Sequence, residues 1–226
     1  MTPDDLPFQI ATWLIPLVFA IVLHEISHGW VASLFGDPTA RERGRLSLNP
    51  IRHVDPIGTI ALPLLLAVTG APVFGWAKPV PVVASRLRNP RVHMMLVALA
   101  GPGMNLLLAL LTAFALGLLV HAGPREGFGW LFLYYNLANF LVINIFLAVF
   151  NLLPIPPFDG GHVVEGLLPR PLAARWARLS RYGFLLLVVL LVFVPLVLPQ
   201  ADIVERIVGP PFNFIFGLLG GIAGLN

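Results

Sequence analysis

The sequence His24-Glu25-Ile26-Ser27-His28 lies within a long apolar run, residues 9–36. On a helix, residues four positions apart share a face, so the two imidazoles can bind one Zn²⁺, and Glu25 beside them can accept a proton from water. A charged group at the centre of a membrane span costs at least about 2.5–3.5 kcal/mol, so three ionisable residues in five indicate a functional site. A polar patch that joins neighbouring helices is the alternative.

The rest of the chain is similarly apolar. Of its 226 residues, 58% are hydrophobic and 11% are charged, whereas soluble domains contain roughly 25% charged residues. Further apolar runs cover residues 57–74, 92–121, 130–154, 182–199 and 203–225. Crossing a bilayer takes about 18 apolar residues or more, so we expect an all-α polytopic membrane protein with five or six membrane segments.

Composition also excludes several classes of protein. The absence of cysteine excludes disulfide scaffolds, thiol nucleophiles and cysteine-ligated metals. The net charge is only +3, and the cations lie between apolar runs, which argues against nucleic acid as a partner. Asp4 and Asp5 precede the first run, and this acidic flank argues against a cleaved signal peptide. We expect a single membrane-embedded domain over residues 1–226.

Basic residues predict the orientation. Twelve of the fourteen lie in three loops: Arg41, Arg43, Arg45 and Arg52; Lys78, Arg86, Arg88 and Arg91; Arg170, Arg175, Arg178 and Arg181. The positive-inside rule places these loops in the cytoplasm and the N-terminus outside. Because the first two loops flank residues 57–74, this run is expected to be re-entrant; a kinked spanning helix with one mislocated loop is the alternative. Residues 75–82, with Pro79 and Pro81, are expected to form extended, edge-like backbone.

A catalytic zinc site usually has three protein ligands, so two histidines leave it incomplete. Asp159 is the candidate for the third. It follows the fourth run, at a point where three prolines end the helix and two glycines allow tight backbone geometry. An ordinary Asp-Gly turn at the membrane surface is the alternative. The first and fourth runs both end on the cytoplasmic side, which brings His28 and Asp159 towards the same face.

Three motifs resemble those of the site-2 proteases, zinc metalloproteases that cut within membranes. They are the HExxH at His24 to His28, a GPxxN at Gly101 to Asn105, and the stretch from Asn151 to Gly161. The resemblance implies a catalytic core over about residues 9–165, followed by C-terminal helices over about residues 182–225. It implies one Zn²⁺ bound by His24, His28 and Asp159, Glu25 as the base, and a β-structured element between the first two core helices. PDZ and CBS modules are absent from this sequence.

Two further polar residues are candidates for contact with the substrate. Asn105, just after Gly-Pro-Gly, could donate to a substrate carbonyl or an oxyanion, or could form an interhelical hydrogen bond instead. His162 could stabilise charge near the zinc, or could simply be solvated.

We therefore predict a zinc-dependent intramembrane endopeptidase that acts in regulated intramembrane proteolysis. Its partners would be the lipid bilayer and a transmembrane segment of a substrate, which could add as a strand to residues 75–83. We expect a multi-pass protein of a prokaryotic cell membrane with a site that opens to the cytoplasm. The alternative is a metal transporter or an inactive substrate-binding homologue. A transporter would be expected to show repeats or several intramembrane acids, whereas Glu25 is the only acid well inside a run.

Overall fold

The computed structural model describes residues 5–69, 75–123, 126–198 and 203–225. Within these ranges the regular structure is helical, and no strand is assigned. The α-helices there are α1 Leu6–Leu34, α2 Thr39–Glu42, α3 Leu62–Thr69, α4 Pro90–His121, α5 Phe128–Asn151, α6 Asp159–Leu167, α7 Arg170–Ser180, α8 Gly183–Val188, α9 Val194–Val197 and α10 Ile203–Ala223. Short 3-10 or π-helical turns occur at Pro50–His53, Pro56–Ala61, Ala84–Arg86 and Val189–Phe193.

Helix α1 buries one stripe of side chains spaced four residues apart. Its members are Phe8, Thr12, Pro16, Ala20, His24, His28 and Ala32. Residues at this spacing form one ridge of a helix, and the small members let neighbouring helices approach closely. The ridge packs against α4 and α5. The two histidines of the HExxH motif therefore lie on the inner face of the bundle.

Helices α4, α5 and α10 share the main apolar cluster. On α4 the small residues Ala109, Ala113 and Gly117 are spaced four apart and buried. A Cβ on Gly117 would lie 2.5 Å from the backbone oxygen of Ile222 in α10. Helices in a bilayer associate through such close packing, because lipid tails are as apolar as the side chains. The glycine therefore sets how closely α4 and α10 approach.

Four helical segments are long and apolar enough to cross a membrane: α1, α4, α5 and residues 205–223 of α10. Helix α7 and residues 183–193 count as a fifth span only when taken together, and they are bent by 67° at the break. The all-α polytopic fold is thus confirmed. Its described spans number four or five, fewer than the upper figure expected from six apolar runs, because the described part of the run 57–74 contains only a short α-helix.

The residues that follow the run 57–74 lie against its beginning. A π-turn of 6 residues and α3 of 8 residues cover Pro56–Thr69, about 21 Å at 1.5 Å per residue, whereas the hydrocarbon core is about 30 Å thick. The Trp76 N–H donates to the oxygen of Gly58 (3.1 Å), and the Lys78 N–H to that of His53 (2.8 Å). Residues 70–74 lie outside the described residues. The two flanks lie side by side, as expected for a re-entrant segment.

The β-like element expected here is extended backbone without a regular ladder. No strand is assigned between residues 75 and 83, because Pro79 and Pro81 remove donors that a ladder needs. The contact between this extended backbone and the start of the re-entrant segment depends on two glycines. A Cβ on Gly58 would lie 2.2 Å from the Trp76 ring, and one on Gly75 would lie 2.3 Å from the oxygen of Gly58.

Candidate metal centre

Three side chains from distant parts of the chain meet beside α4. Helix α1 supplies His24 and His28, and Asp159 is the first residue of α6, which packs against α4. Between α5 and α6 the proline-rich stem folds tightly, and a Cβ on Gly160 would lie 2.3 Å from the oxygen of Leu153. This tight fold brings the carboxylate back to the histidines.

The donor atoms form a nearly equilateral triangle. The Nε2 atoms of His24 and His28 are 3.1 Å apart, and Oδ2 of Asp159 lies 3.3 Å from the first and 3.4 Å from the second. Ligands about 2.0–2.1 Å from a tetrahedral zinc ion are about 3.3 Å from one another. Oδ2 is buried, and no group among the described residues donates a hydrogen bond to it. The three side chains therefore fit a single Zn²⁺.

The outer nitrogen of each imidazole faces an oxygen. Nδ1 of His28 lies 2.7 Å from the backbone oxygen of Val97, and Nδ1 of His24 lies 2.6 Å from Oδ1 of Asn105. Each Nδ1 must therefore carry the proton and donate it, which leaves both Nε2 lone pairs directed at the third donor, Asp159. Such outer hydrogen bonds orient metal-binding histidines and raise their basicity. Three converging lone pairs repel one another unless a cation lies between them.

A buried chain of amides sets the direction of the bond at His24. Nδ2 of Asn144 donates to the backbone oxygen of Phe140 (2.8 Å), and Oδ1 of Asn144 accepts from Nδ2 of Asn105 (2.8 Å). The backbone carbonyl of Phe140 can only accept a hydrogen bond. It therefore fixes which end of each amide donates and which accepts. Asn105 is fully buried and its oxygen faces His24. Of the two alternatives for Asn105, the interhelical hydrogen bond is the one observed, rather than a donor exposed to substrate.

Gly101, in the GPxxN segment, allows α4 to lie against the two imidazoles. A Cβ there would lie 2.4 Å from Nε2 of His28 and 2.5 Å from Cε1 of His24. By contrast, a Cβ on Gly103 would have nothing within 4 Å. Sequence reasoning used this segment only for resemblance and for Asn105. The requirement for glycine at position 101 emerges from packing between distant helices.

Glu25 lies outside the three-donor group and contacts the extended segment. Its Oε2 accepts a hydrogen bond from the Val80 N–H (2.8 Å). A Cβ on Gly29 would lie 2.7 Å from Cγ1 of Val80, so the glycine after the motif allows this segment to approach α1. Arg45, which is buried, also holds the extended segment, since it donates to the backbone oxygen of Lys78 (2.6 Å).

Asp37, which sequence reasoning did not select, also holds the extended segment. It is fully buried and accepts hydrogen bonds from Thr39 and from the Val83 N–H (2.6 Å). Burial by itself would raise the pKa of Asp37, but these bonds and nearby Arg86 outweigh burial and hold the pKa below 3.8. The carboxylate is therefore charged at neutral pH. Its stabilising contribution is complete above the ordinary pKa and is lost as the pH falls through the lowered value.

His162 is not part of the three-donor group. It lies on α6, its side chain is 41% exposed, and its Nδ1 is 3.5 Å from Oε2 of Glu165. This position matches the solvated alternative more closely than a role beside the metal.

Comparison with known proteins identifies the family. The sequence model of peptidase family M50 matches residues 128–191, which include Asp159. YwhC of Bacillus subtilis (strain 168), a candidate zinc metalloprotease by its name, is 40% identical over 194 residues, or 82% of this chain and 83% of that protein. The chain belongs to peptidase family M50. The resemblance to the site-2 proteases is thus confirmed.

Two further relatives are mycobacterial proteins called Rip2, also candidate zinc metalloproteases by name. The protein from Mycolicibacterium smegmatis (strain ATCC 700084 / mc(2)155) is 33% identical over 184 residues, which are 81% of this chain and 66% of that protein. The one from Mycobacterium tuberculosis (strain ATCC 25618 / H37Rv) is 33% identical over 185 residues, or 80% and 65%. No solved structure matches the chain significantly.

Proposed function

We propose that this M50 peptidase is a zinc-dependent intramembrane endopeptidase that cleaves peptide bonds in or near transmembrane segments of membrane proteins. One observation carries the proposal. The three donors that fit Zn²⁺ are brought together by α1, which is long and apolar enough to span a membrane, and by α6, which packs on α4, a second helix of that kind. We further propose that the cleavage serves regulated intramembrane proteolysis in a prokaryotic cell membrane.

His24, His28 and Asp159 would hold the ion. When bound, Zn²⁺ supplies a Lewis acid that polarises the scissile carbonyl. The hydrogen bonds from the imidazoles to Asn105 and Val97 keep the two rings aimed at the third donor.

Glu25 would move the proton. One carboxylate oxygen is held by the Val80 N–H, which leaves the other oxygen for a water molecule. Glu25 accepts the proton of the attacking water and later donates it to the leaving amine, so that one residue is first base and then acid.

The substrate must unwind locally, because an intact helix keeps its scissile carbonyl in a backbone hydrogen bond. Strand addition to residues 75–83 is restricted by this protein's own contacts. The N–H groups of Trp76, Lys78, Val80 and Val83 are already donated within the chain, and two prolines have none. Six of the nine residues therefore offer no donor, so a docked substrate would rely on the remaining positions and on carbonyl acceptors.

The orientation is part of this proposal. Cations concentrated in three loops support a cytoplasmic location for these loops and an N-terminus outside. Membership of a peptidase family argues against the transporter alternative. Measurement of substrate cleavage distinguishes an active protease from an inactive substrate-binding homologue.

The test uses the purified chain in liposomes together with a single-span substrate. Glu25→Gln should retain about one zinc per chain and lose at least about 10²-fold in turnover, because the amide cannot accept a proton. His24→Ala and Asp159→Ala should lose both zinc and activity, whereas Glu126→Gln, in an exposed loop, should keep both. Metal analysis and mass spectrometry of the products provide the readouts. Substantial turnover by Glu25→Gln, or products cut only outside the span and its borders, would contradict the proposal.

A further inference from the structure

Helix α7 has two chemically distinct faces. At 100° per residue, Arg170, Arg175 and Arg178 lie on one arc of the helix, and Arg181, which follows it, continues this arc. Leu172, Trp176 and Leu179 lie on the opposite arc. All four arginines are exposed. A short helix with a basic face and an apolar face is typical of segments that lie at a membrane surface.

The basic face has no acidic partner among the residues that the structure describes. The hydrogen bonds of Arg178 and Arg181 go to backbone oxygens one turn earlier, and no ion pair involves any of the four arginines. By contrast, Arg86 pairs with Glu42 at 2.8 Å. The charge of α7 is therefore available to an external anion.

The segment that follows α7 is apolar and exposed, as expected of one in contact with lipid. Residues 183–193 diverge from α7 by 67° and expose large apolar side chains, among them Phe184 at 57% and Phe193 at 60%. Exposed side chains of this kind belong in the hydrocarbon region. If residues 183–193 run along the membrane normal, α7 lies closer to the membrane plane than to the normal. Tyr182, exposed at the bend, has the amphipathic ring that is common at headgroup level.

Contacts with the core hold α7 in this position. Nε1 of Trp176 donates to the backbone oxygen of Gly161 (2.9 Å). Beyond the bend, a Cβ on Gly183 would lie 3.1 Å from Pro157. The helix is thus fixed to the stem that carries Asp159. Its basic face therefore already has a defined orientation before any ligand binds.

We propose that α7 is an interfacial helix whose arginines bind the headgroups of anionic phospholipids. The unpaired charge, Leu172 exposed on the opposite face and the bend at the exposed apolar residues 183–193 together favour a membrane surface over an acidic protein segment or a second copy of this chain. The proposal depends on membrane insertion and is independent of proteolysis.

Binding of phosphatidylglycerol and phosphatidylcholine to the detergent-purified full chain, measured by native mass spectrometry, tests the proposal. Each arginine near an anionic surface contributes about fivefold, so Arg175→Gln/Arg178→Gln should weaken phosphatidylglycerol binding roughly thirty-fold and leave phosphatidylcholine binding unchanged. The matched control is Arg41→Gln/Arg43→Gln, which removes the same charge from exposed positions in α2 and at its end and should have little effect. Equal losses in both double variants, or equal binding of the two lipids by the unaltered chain, would overturn the proposal. So would a dimer that the α7 double variant abolishes.

A second measurement does not depend on the folding of the arginine variants. The chain has no cysteine, so Ala174→Cys places a single fluorophore between the arginines of α7. In nanodiscs that contain phosphatidylglycerol, headgroup spin labels should quench it at least twofold more than spin labels at mid-chain. Quenching by an aqueous quencher alone would place α7 in water and would overturn the proposal.

Discussion

Single residues determine which nitrogen of each histidine is available to a metal. We expect Asn105→Leu to lower zinc affinity 10- to 100-fold, because Nδ1 of His24 loses its acceptor. A chelator competition titration measures the change. Asn136→Leu is the control, since among the described residues that amide bonds only to Phe132 of its own helix. If Asn105 served the oxyanion instead, zinc affinity would stay normal and only kcat would fall.

Gly101 allows α4 to lie directly against the two imidazoles. Gly101→Ala should lose bound zinc and activity, since its Cβ would lie 2.4–2.6 Å from the two rings. Gly103→Ala, two residues along the same helix and with open space around the new Cβ, should keep both. Metal content per chain distinguishes the variants. Equal zinc in both would mean that α4 can shift away without disturbing the site.

Among the elements, the run 57–74 determines whether its two flanking loops lie on the same side of the membrane. In whole cells, Ser47→Cys and Ser85→Cys should both resist a membrane-impermeant maleimide until the cells are permeabilised, because the hydrogen bonds of Trp76 and Lys78 return the chain to residues 53–58. Glu126→Cys, between α4 and α5, should be labelled from outside and serves as the control. Labelling of Ser47→Cys and Ser85→Cys from opposite sides would make residues 57–74 a spanning segment.

At the scale of the whole molecule, the close packing of α4 against α10 depends on Gly117, the small residue at their contact. Gly117→Ala should destabilise the protein by about 1–3 kcal/mol, because its Cβ would lie 2.5 Å from a backbone oxygen that cannot rotate away. Thermal unfolding in detergent should show a Tm lower by several degrees. Gly217→Ala, on α10 with nothing within 4 Å, is the matched control and should be neutral or stabilising. A Tm unchanged by Gly117→Ala would contradict this packing.

Local features of the amino-acid sequence determined the class of protein and the chemistry of the candidate site. Apolar runs and a polar HExxH cluster are properties of contiguous residues, and the helical repeat alone places His24 and His28 on one face. Proline and glycine likewise indicated the stem before Asp159. For this reason the membrane fold and the candidate ligands were predictable without coordinates.

Only the tertiary structure decided how these parts meet. The bond between His24 and Asn105 joins residues 81 positions apart, and that between Val80 and Glu25 joins residues 55 apart. Neither the need for glycine at position 101 nor the buried carboxylate of Asp37 has a local signature. Such contacts depend on how closely separate helices pack, and hydropathy and helical periodicity describe each helix by itself. The tertiary packing of α1, α4, α5 and α6 therefore determines the geometry around the three donors.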